Sequence, residues 1–244
     1  MKKPLLPIPI VFYHKIDHPS PDARLRGAYT TPTRFARQMA FLKKRGTVFY
    51  TAAELITYFR EHGSFPPNGL AVTFDDGWQD NYENAFPVLQ RYDIKATIFL
   101  VSSCIGEVST KAVGDGEGAR AHLTRAQILE MSKHGIEFGS HSVNHRLLNQ
   151  LSLPEVKFEV EESQRQIADL LGKPCQTFAY PAGYLTEEVQ RIVAQAGYLS
   201  AFSTIYGPTD TLDLYALNRV EILLADRFLF QFKRKVKRLI SRPG

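Results

Sequence analysis

Two adjacent aspartates and two histidines are the residues of this 244-residue chain whose types and spacing most directly suggest chemistry. Asp75 and Asp76 follow the apolar residues 70–74, a run that predicts a buried strand ending in a turn at a glycine. Successive strand residues point to opposite sides, so the two carboxylates are expected to perform different tasks. One carboxylate can bind a metal while the other moves protons.

His141 and His145 are four residues apart and can converge on one ion in a helical turn or a tight loop. Two histidines and one aspartate leave coordination positions open, as a catalytic metal site requires. Each motif has an ordinary alternative, since Asp-Asp-Gly is common in turns and His-x-x-x-His on solvated helix faces. Because each motif follows an apolar, strand-like run, their joint occurrence favours a metal-dependent active site.

The chain resembles the polysaccharide deacetylases, carbohydrate esterase family four, in these two motifs. Residues 73–77 read Thr-Phe-Asp-Asp-Gly and residues 141–145 read His-Ser-Val-Asn-His, as the family has them. The resemblance implies that Asp75 is the general base and that Asp76 binds a divalent metal together with His141 and His145. Zn²⁺ is the favoured metal, with Fe²⁺, Co²⁺ or Mn²⁺ as alternatives for two histidines and one carboxylate.

The stretch Phe-Ala-Tyr-Pro-Ala-Gly matches the family's third motif only in part. Pro181 and Gly183 agree with it, whereas Ala179 stands where most members have an arginine that orients the base. We expect Arg219 to replace that arginine. The resemblance also implies that the backbone N–H of Ala182 helps to stabilise the oxyanion, so Pro181 and Ala182 are predicted to lie at the substrate site.

His14 follows the apolar run Ile-Val-Phe-Tyr and therefore lies at the carboxyl end of the first predicted strand. Most family members supply the general acid from a Leu-x-His motif near the C-terminus, but residues 219–224 contain no histidine. This gap resembles the branch that deacetylates biofilm poly-N-acetylglucosamine, in which an N-terminal Tyr-His provides the acid. We predict His14 as the general acid, with a histidine that only lines the barrel rim as the alternative.

Together these residues predict metal-dependent hydrolysis of N-acetyl groups from a polysaccharide or oligosaccharide that contains N-acetylglucosamine, with release of acetate. Trp78 and Tyr184 flank two of the motifs and are candidates for stacking on sugar faces, although core packing explains them equally well. The alternatives are an O-acetyl esterase, a deacylase of a lipid-linked sugar, and a sugar-binding module with an inactive site.

The elements that must position these residues alternate between strand and helix. Short runs, many of them β-branched or aromatic, predict strands at residues 8–13, 47–50, 70–74, 95–101, 136–140, 176–180 and 199–203. Thr51, Thr124 and Ser152 each start a capping box, and Gly172 is expected to end the longest helix. The alternation predicts an α/β fold with a parallel sheet closed, or nearly closed, into a barrel. The resemblance implies a distorted (β/α)7 barrel in a single domain.

Barrel active sites lie at the carboxyl ends of the strands, where both metal motifs fall. Residues 106–121, with glycines at 114, 116 and 118, are expected to form a loop at this same end. The two cysteines, Cys104 and Cys175, are expected to be free thiols.

The formal charge of +5 is unevenly distributed. From residue 227 onward there are seven Lys or Arg and no acid, so the rest of the chain has a formal charge of −2. Nucleic acid is therefore not an expected partner. Residues 1–225 are predicted to be the catalytic domain, and residues 226–244 a basic amphipathic helix and tail. No signal peptide or transmembrane segment is evident, which predicts a cytoplasmic or membrane-peripheral protein.

The predicted C-terminal helix has an apolar face and a basic face. Phe228, Phe232, Val236 and Ile240 recur every four residues, and Asp226 is the expected N-cap. The helix is expected either to pack on the barrel or to make a peripheral contact with an anionic membrane surface.

Overall fold

A curled parallel sheet lies at the centre of the computed structural model, which describes residues 8–21, 23, 26–109, 119–204, 212–226, 228–237 and 239–240. The strands are β1 (Ile10–Tyr13), β2 (Val48–Tyr50), β3 (Gly69–Phe74), β4 (Ala96–Leu100), β5 (Val108–Ser109), β6 (Arg120–Ala121), β7 (Ile136–Ser140), β8 (Thr177–Ala179), β9 (Ser200–Phe202) and β10 (Val220–Glu221). The order in the sheet is β10-β1-β3-β4-β7-β8-β9, and β2 pairs with the first half of β3.

All seven predicted strands are present, with small differences at their ends. Every residue of β3 and β4 is buried, as expected for parallel strands that are covered on both faces. The curled sheet confirms the prediction of an α/β fold with a distorted (β/α)7 barrel in a single domain.

The sequence did not predict β10, which lies where the two edges of the curled sheet approach each other. Leu217 forms a parallel bridge with Phe202 of β9, and Val220 pairs with Val11 of β1. Residues 217–221 therefore contact both edges of the sheet. Arg219, in the middle of this segment, is buried inside the barrel.

The helices are α1 (Pro32–Lys44), α2 (Ala52–His62), α3 (Phe86–Tyr92), α4 (Arg125–Ser132), α5 (Leu153–Leu171), α6 (Glu187–Gln195) and α7 (Leu229–Lys237). The predicted capping boxes at Thr51, Thr124 and Ser152 are all formed. Gly172 ends α5 in the left-handed conformation with φ 66°, as predicted. Among the described residues, none of the helices is long and apolar enough to span a membrane.

Both ends of the segment predicted as a loop, residues 106–121, take part in a two-stranded ribbon. These ends pair as the antiparallel strands β5 and β6, so the loop prediction is wrong there. Glycines 114, 116 and 118 lie outside the described residues. Cys104 and Cys175 form no disulfide with each other, as predicted.

Helix α7 packs on α1 through Phe232, whose ring lies 6.4 Å from that of Phe41. Val236 and Ile240 are buried with Phe232, whereas Phe228 is 55% exposed and does not belong to this face. The predicted apolar face is thus shorter than its sequence pattern suggested.

The prediction that Asp226 caps this helix is wrong. Helix α7 begins at Leu229, three residues after Asp226, and the Asp226 carboxylate is bonded to other donors. Its Oδ2 atom accepts hydrogen bonds from the Leu223 N–H at 2.8 Å and from the Lys235 ammonium at 2.7 Å. A charged partner and a backbone donor therefore compete successfully with the helix terminus for this carboxylate.

Candidate active site

Asp75 lies at the carboxyl end of β3, where its N–H donates to the Tyr13 carbonyl oxygen at 3.0 Å. Its carboxylate is buried and receives two hydrogen bonds from Arg219, Nη1 to Oδ1 at 2.7 Å and Nη2 to Oδ2 at 2.8 Å. Burial acts to raise the pKa of Asp75, but the Arg219 guanidinium, together with His141 and His14, outweighs it. The pKa therefore lies below its ordinary value, and Asp75 is ionised at neutral pH.

Arg219 is enclosed by groups that satisfy its donors and cover its plane. Nε donates to the Ser203 carbonyl oxygen at 3.3 Å, and Nη1 also donates to Thr73 Oγ1 at 3.2 Å. The guanidinium carbon lies 4.5 Å from the centre of the Phe12 ring. Losing either member of such a buried ion pair costs about 3–5 kcal/mol, because the other charge is left uncompensated. The structure thus joins the predicted arginine to the predicted base.

Asp76, the next residue, adopts a left-handed backbone conformation with φ 72°. This conformation is costly for a residue with a Cβ atom and turns the side chain away from that of Asp75. Asp76 Oδ2 accepts a hydrogen bond from the Trp78 indole N–H at 2.9 Å. Oδ1 lies 3.5 Å from His141 Nε2 and 3.4 Å from His145 Nε2. The three predicted ligands therefore meet.

The two histidines follow β7 in a tight loop. His141 Nδ1 contacts the Ala179 carbonyl oxygen at 2.7 Å, and because a carbonyl only accepts, Nδ1 carries the proton. Nε2 is left as a lone-pair donor facing Asp76. Burial lowers the pKa of His141 to about 4, so this imidazole is neutral at physiological pH. Both features are what a metal-binding histidine needs.

A buried carboxylate on α5 holds the loop between the two histidines. Glu159 Oε2 accepts from the Asn144 backbone N–H at 2.8 Å, and Oε1 accepts from the Asn144 side-chain amide at 2.9 Å. Ser142 and His145 both have positive φ, 66° and 54°, and Ser142 Oγ accepts from the His145 N–H at 3.0 Å. These bonds stabilise a strained loop that brings His145 to Asp76.

These three side chains fit a divalent metal. They offer one carboxylate oxygen and two imidazole nitrogens, and the three atoms all lie within 4.8 Å of one another. Two ligands bound at about 2.0–2.1 Å in a tetrahedral arrangement lie roughly 3.3 Å apart, close to the oxygen–nitrogen separations found here. The residues present therefore suit Zn²⁺ or a similar ion.

A cavity of about 370 Å³ opens over this cluster. Both aspartates and both histidines line it, as do His14 and Ala182. His14 Nδ1 lies 3.9 Å from Glu221 Oε1 on β10, so a carboxylate faces the predicted acid. The cavity therefore contains the groups predicted for base, acid, metal and oxyanion.

Pro181 and Ala182 belong to a tight turn after β8. Ala182 has φ 54° and Gly183 φ 75°, and a Cβ on Gly183 would lie 1.9 Å from Thr204 Oγ1, so only glycine fits there. The Ala182 carbonyl accepts from this same hydroxyl at 3.2 Å. The turn fixes Ala182 in the cavity wall.

The two predicted sugar-stacking aromatics lie in different environments. Trp78 lines the cavity but is only 8% exposed, and its ring stacks on His122 with centroids 4.2 Å apart. Tyr184 is 54% exposed and is not among the described residues that line the cavity. The Trp78 indole therefore holds the Asp76 carboxylate in this structure. Sugar stacking by Tyr184 remains a prediction.

The sequence patterns did not identify four residues that support the site: Glu221 faces His14, His122 contacts Asp76, and Glu159 with Asn144 holds the loop between the two histidines. Glu221 and His122 lie on segments whose pairing partners are distant in sequence, which no local pattern reveals. Asn144 lies within the second motif, and Glu159 occupies the buried face of a long amphipathic helix. An acidic residue at a position of this helix that is expected to be buried was the one sequence feature that indicated a buried polar contact.

Comparison with known proteins agrees with this geometry. The family model described as polysaccharide deacetylase matches residues 62–201. YxkH of Bacillus subtilis, whose name refers to the same family, is 30% identical over 216 residues, which cover 88% of this chain and 71% of that protein. A poly-beta-1,6-N-acetyl-D-glucosamine N-deacetylase of Staphylococcus aureus is 26% identical over 193 residues. That alignment covers 75% of this chain but only 64% of the relative, less than two thirds of its length.

Among solved structures, the Streptococcus pyogenes deacetylase PplD in complex with acetate has a TM-score of 0.82 to this chain at 27% identity. The alignment covers 96% of this chain and 99% of PplD, so the similarity includes the whole barrel and not only the two motifs. The chain therefore belongs to the polysaccharide deacetylase family and is a carbohydrate deacetylase.

Proposed function

We propose that this chain hydrolyses the N-acetyl groups of an N-acetylglucosamine polysaccharide with β-1,6 linkages and releases acetate. The observation that carries the proposal is the convergence, in one cavity, of an arginine-paired aspartate with an aspartate and two histidines suited to a divalent metal. The Staphylococcus aureus relative, whose name gives poly-beta-1,6-N-acetyl-D-glucosamine as its substrate, supports the choice of glycan.

Asp75 is assigned as the general base. It is ionised because Arg219 holds its pKa below the ordinary value, and it lies next to the ligand Asp76. Each carboxylate oxygen that accepts from Arg219 retains a second lone pair, so Asp75 can still take a proton from the attacking water.

Asp76, His141 and His145 are assigned as the ligands of a divalent ion, with Zn²⁺ favoured over Fe²⁺, Co²⁺ or Mn²⁺. When bound there, such an ion supplies a Lewis acid that polarises the acetyl carbonyl and lowers the pKa of water. The Asp76 carboxylate accepts from Trp78 and His141 donates to Ala179, so both ligands are oriented before substrate arrives.

The remaining steps fall to His14 and Ala182. The nitrogen of an amide leaves poorly unless it is protonated, and His14 lines the cavity on the β1 side, with Glu221 positioned to orient its ring. The Ala182 N–H is assigned to stabilise the oxyanion, a role worth about 3–4 kcal/mol for comparable donors.

The test is acetate release by the metal-loaded protein from β-1,6-linked N-acetylglucosamine oligomers, with chitooligosaccharides and O-acetylated xylan as comparison substrates. We expect turnover of the β-1,6 oligomers above the other two. Preference for O-acetylated xylan would support the O-acetyl esterase instead. Stoichiometric metal binding with no acetate release from any substrate would support a sugar-binding module. Turnover of a lipid-linked sugar alone would support a deacylase of lipid-linked sugars.

We further propose that α7 and α1 form a peripheral contact with anionic lipid. Neither helix carries an acidic residue, and Lys233, Arg234 and Lys237 are exposed on α7. Phe228 and Phe230, 55% and 64% exposed, stack with centroids 5.6 Å apart beside these charges. Exposed aromatics next to basic residues are the composition of interfacial helices.

Sedimentation with anionic vesicles tests this contact in the full-length protein. Removal of α7 would expose the core around Phe232, so surface substitutions are the better probe. Arg234→Glu combined with Lys237→Glu should abolish salt-sensitive binding, while Lys173→Glu on the barrel should not. Equal binding by all variants, or none by the wild type, would contradict the proposal and leave α7 as a packing helix.

A further inference from the structure

Asp76 is held from two directions by a pair of stacked rings. The Trp78 indole N–H donates to Asp76 Oδ2 at 2.9 Å, and His122 Nδ1 lies 3.0 Å from the Asp76 backbone carbonyl oxygen. The carbonyl only accepts, so His122 Nδ1 carries the proton and donates it. The two rings stack with centroids 4.2 Å apart and planes 27° apart. One ring therefore fixes the side chain of Asp76 and the other its peptide group.

His122 comes from a part of the chain that the two metal motifs do not include. Trp78 and His122 form an antiparallel bridge. On either side of it, the Leu123 N–H donates to the Gly77 carbonyl oxygen and the Gln79 N–H donates to the Ala121 carbonyl oxygen, both at 2.9 Å. Residues 121–123, the last residue of β6 and the two that follow it, thus pair with residues 77–79, directly after the two aspartates.

Asp76 needs this support because of its backbone. At φ 72° it occupies a conformation that costs an ordinary residue of order 1–3 kcal/mol and persists only when the surroundings enforce it. In this conformation the Asp76 carbonyl points to His122 while the carboxylate faces His141 and His145. The hydrogen bond from His122 opposes relaxation of this peptide and so helps to keep the carboxylate facing the two histidines.

We propose that His122 is a positioning residue that sets the affinity of the site for its divalent metal by holding Asp76 in the left-handed conformation, in concert with Trp78. The inference rests on the proposed function only in that the Asp76, His141 and His145 cluster binds such an ion. It adds the segment after β6 to the metal site.

Two substitutions separate the parts of the contact. His122→Phe keeps a flat ring against Trp78 but has no donor for the Asp76 carbonyl. His122→Asn keeps an amide donor near the position of Nδ1 but removes the stacked ring. Trp78→Phe removes the donor to the carboxylate while keeping a smaller aromatic ring, and His62→Phe, at an exposed histidine of α2, is the matched control.

The measurement is the Kd for Zn²⁺ of the full-length protein, from competition with a chromophoric chelator, alongside the melting temperature of each metal-free variant. Loss of such a supporting hydrogen bond is expected to weaken metal affinity about 10- to 100-fold. We expect a loss of this size for His122→Phe, a smaller loss for His122→Asn, and none for His62→Phe. His122→Phe combined with Trp78→Phe should lose less than the product of the single effects, since both act on Asp76.

A wild-type Kd in His122→Phe would overturn the inference while leaving the proposed function intact. A loss in His122→Asn as large as that in His122→Phe would also overturn it, because a retained amide donor would then fail to preserve metal affinity. Failure of the wild type to bind Zn²⁺, Fe²⁺, Co²⁺ or Mn²⁺ would instead overturn the proposed metal site, and this inference with it.

Discussion

Asp75 and Asp76 are neighbours in sequence but have opposite surroundings. Asp75 is sealed in the barrel against a permanent cation, whose two N–H groups satisfy both of its oxygens. Asp76 is held by one indole N–H and faces two imidazoles across a cavity. The first arrangement fixes a charge, whereas the second leaves room for an ion and substrate.

Two adjacent residues at the end of a strand can thus have different chemical roles, because their side chains point in opposite directions. The negative charge of Asp75 is balanced by the protein itself, so it does not depend on a ligand. Asp76 instead faces the two imidazoles that are its predicted co-ligands. Substitutions at these positions should therefore fail in different ways.

The largest effect is expected from Asp76→Ala, which removes the carboxylate that completes the proposed metal site with His141 and His145. We expect loss of stoichiometric Zn²⁺ binding and of acetate release together, measured by metal analysis and by an acetate assay. His62→Ala, at an exposed histidine far from the cavity, should change neither. Retention of tight metal binding by Asp76→Ala would show that the ion lies elsewhere.

Asp75→Asn should keep the metal and lose about 10²- to 10⁴-fold in kcat, the contribution of a positioned general base. It should also lower stability by about 3–5 kcal/mol, because the Arg219 charge is left unpaired. The double variant Asp75→Asn with Arg219→Met should recover stability in denaturant unfolding but not activity. Near-normal turnover by Asp75→Asn would refute its assignment as the base.

Arg219→Met should change the pH dependence of kcat/KM. Burial acts to raise the pKa of Asp75 and Arg219 opposes it, so without the guanidinium the pKa rises. The base must be ionised to act, and the acid limb of the profile should therefore move to higher pH. Arg219→Lys keeps a charge without the two-pronged contact and should shift the limb less. An unmoved acid limb in Arg219→Met would contradict this electrostatic role.

His14→Ala should lower kcat on N-acetyl substrates by about 100-fold, toward the lower end for a general acid. Its effect on an activated acetyl ester should be smaller, because that leaving group needs less protonation. His18→Ala, at an exposed histidine four positions away, is the matched control. Equal losses on amide and ester would argue against an acid role for His14.

The smallest effect is expected for Glu159→Gln. The glutamine keeps one acceptor oxygen, so only one of the two Asn144 donors can remain bonded. The loop that carries His145 should loosen and weaken Zn²⁺ affinity about 10-fold, measured as a Kd. Glu161→Gln, exposed on this same helix, should have no effect. An unchanged Kd would make Glu159 a residue of fold stability alone.

The fold was largely predictable because local chemistry determined its elements. Apolar runs bounded by turn residues gave all seven predicted strands, and the capping boxes at Thr51, Thr124 and Ser152 marked three helix starts. The exception, Asp226, shows the limit of such rules. The Leu223 N–H, three residues earlier, and Lys235, within the helix, bond to this carboxylate instead of the helix terminus, and the capping rule does not weigh such competing donors.

The candidate site was predictable only where its residues are contiguous. The dipeptide Asp75-Asp76 and the histidine pair could be identified because each motif is short. The contacts of Glu221 and His122 depend on which strands and turns become neighbours, and that is decided by the assembly of the whole sheet. Arg219 was predicted to orient Asp75 because Ala179 stands where most family members have an arginine. The contact itself, which depends on the pairing of β10 with β1, became visible only in the structure.

The bond between Arg219 and Asp75 joins residues 144 positions apart, through the segment that spans the two edges of the sheet. Closing so long a stretch of chain is entropically costly, and contacts of this kind slow folding. During synthesis, Asp75 and the three predicted metal ligands leave the ribosome before β10. The Arg219 contact that lowers the pKa of Asp75 can therefore form only after residues 217–221 have joined the sheet. The charged partner of the predicted base is thus supplied by the last strand of the barrel.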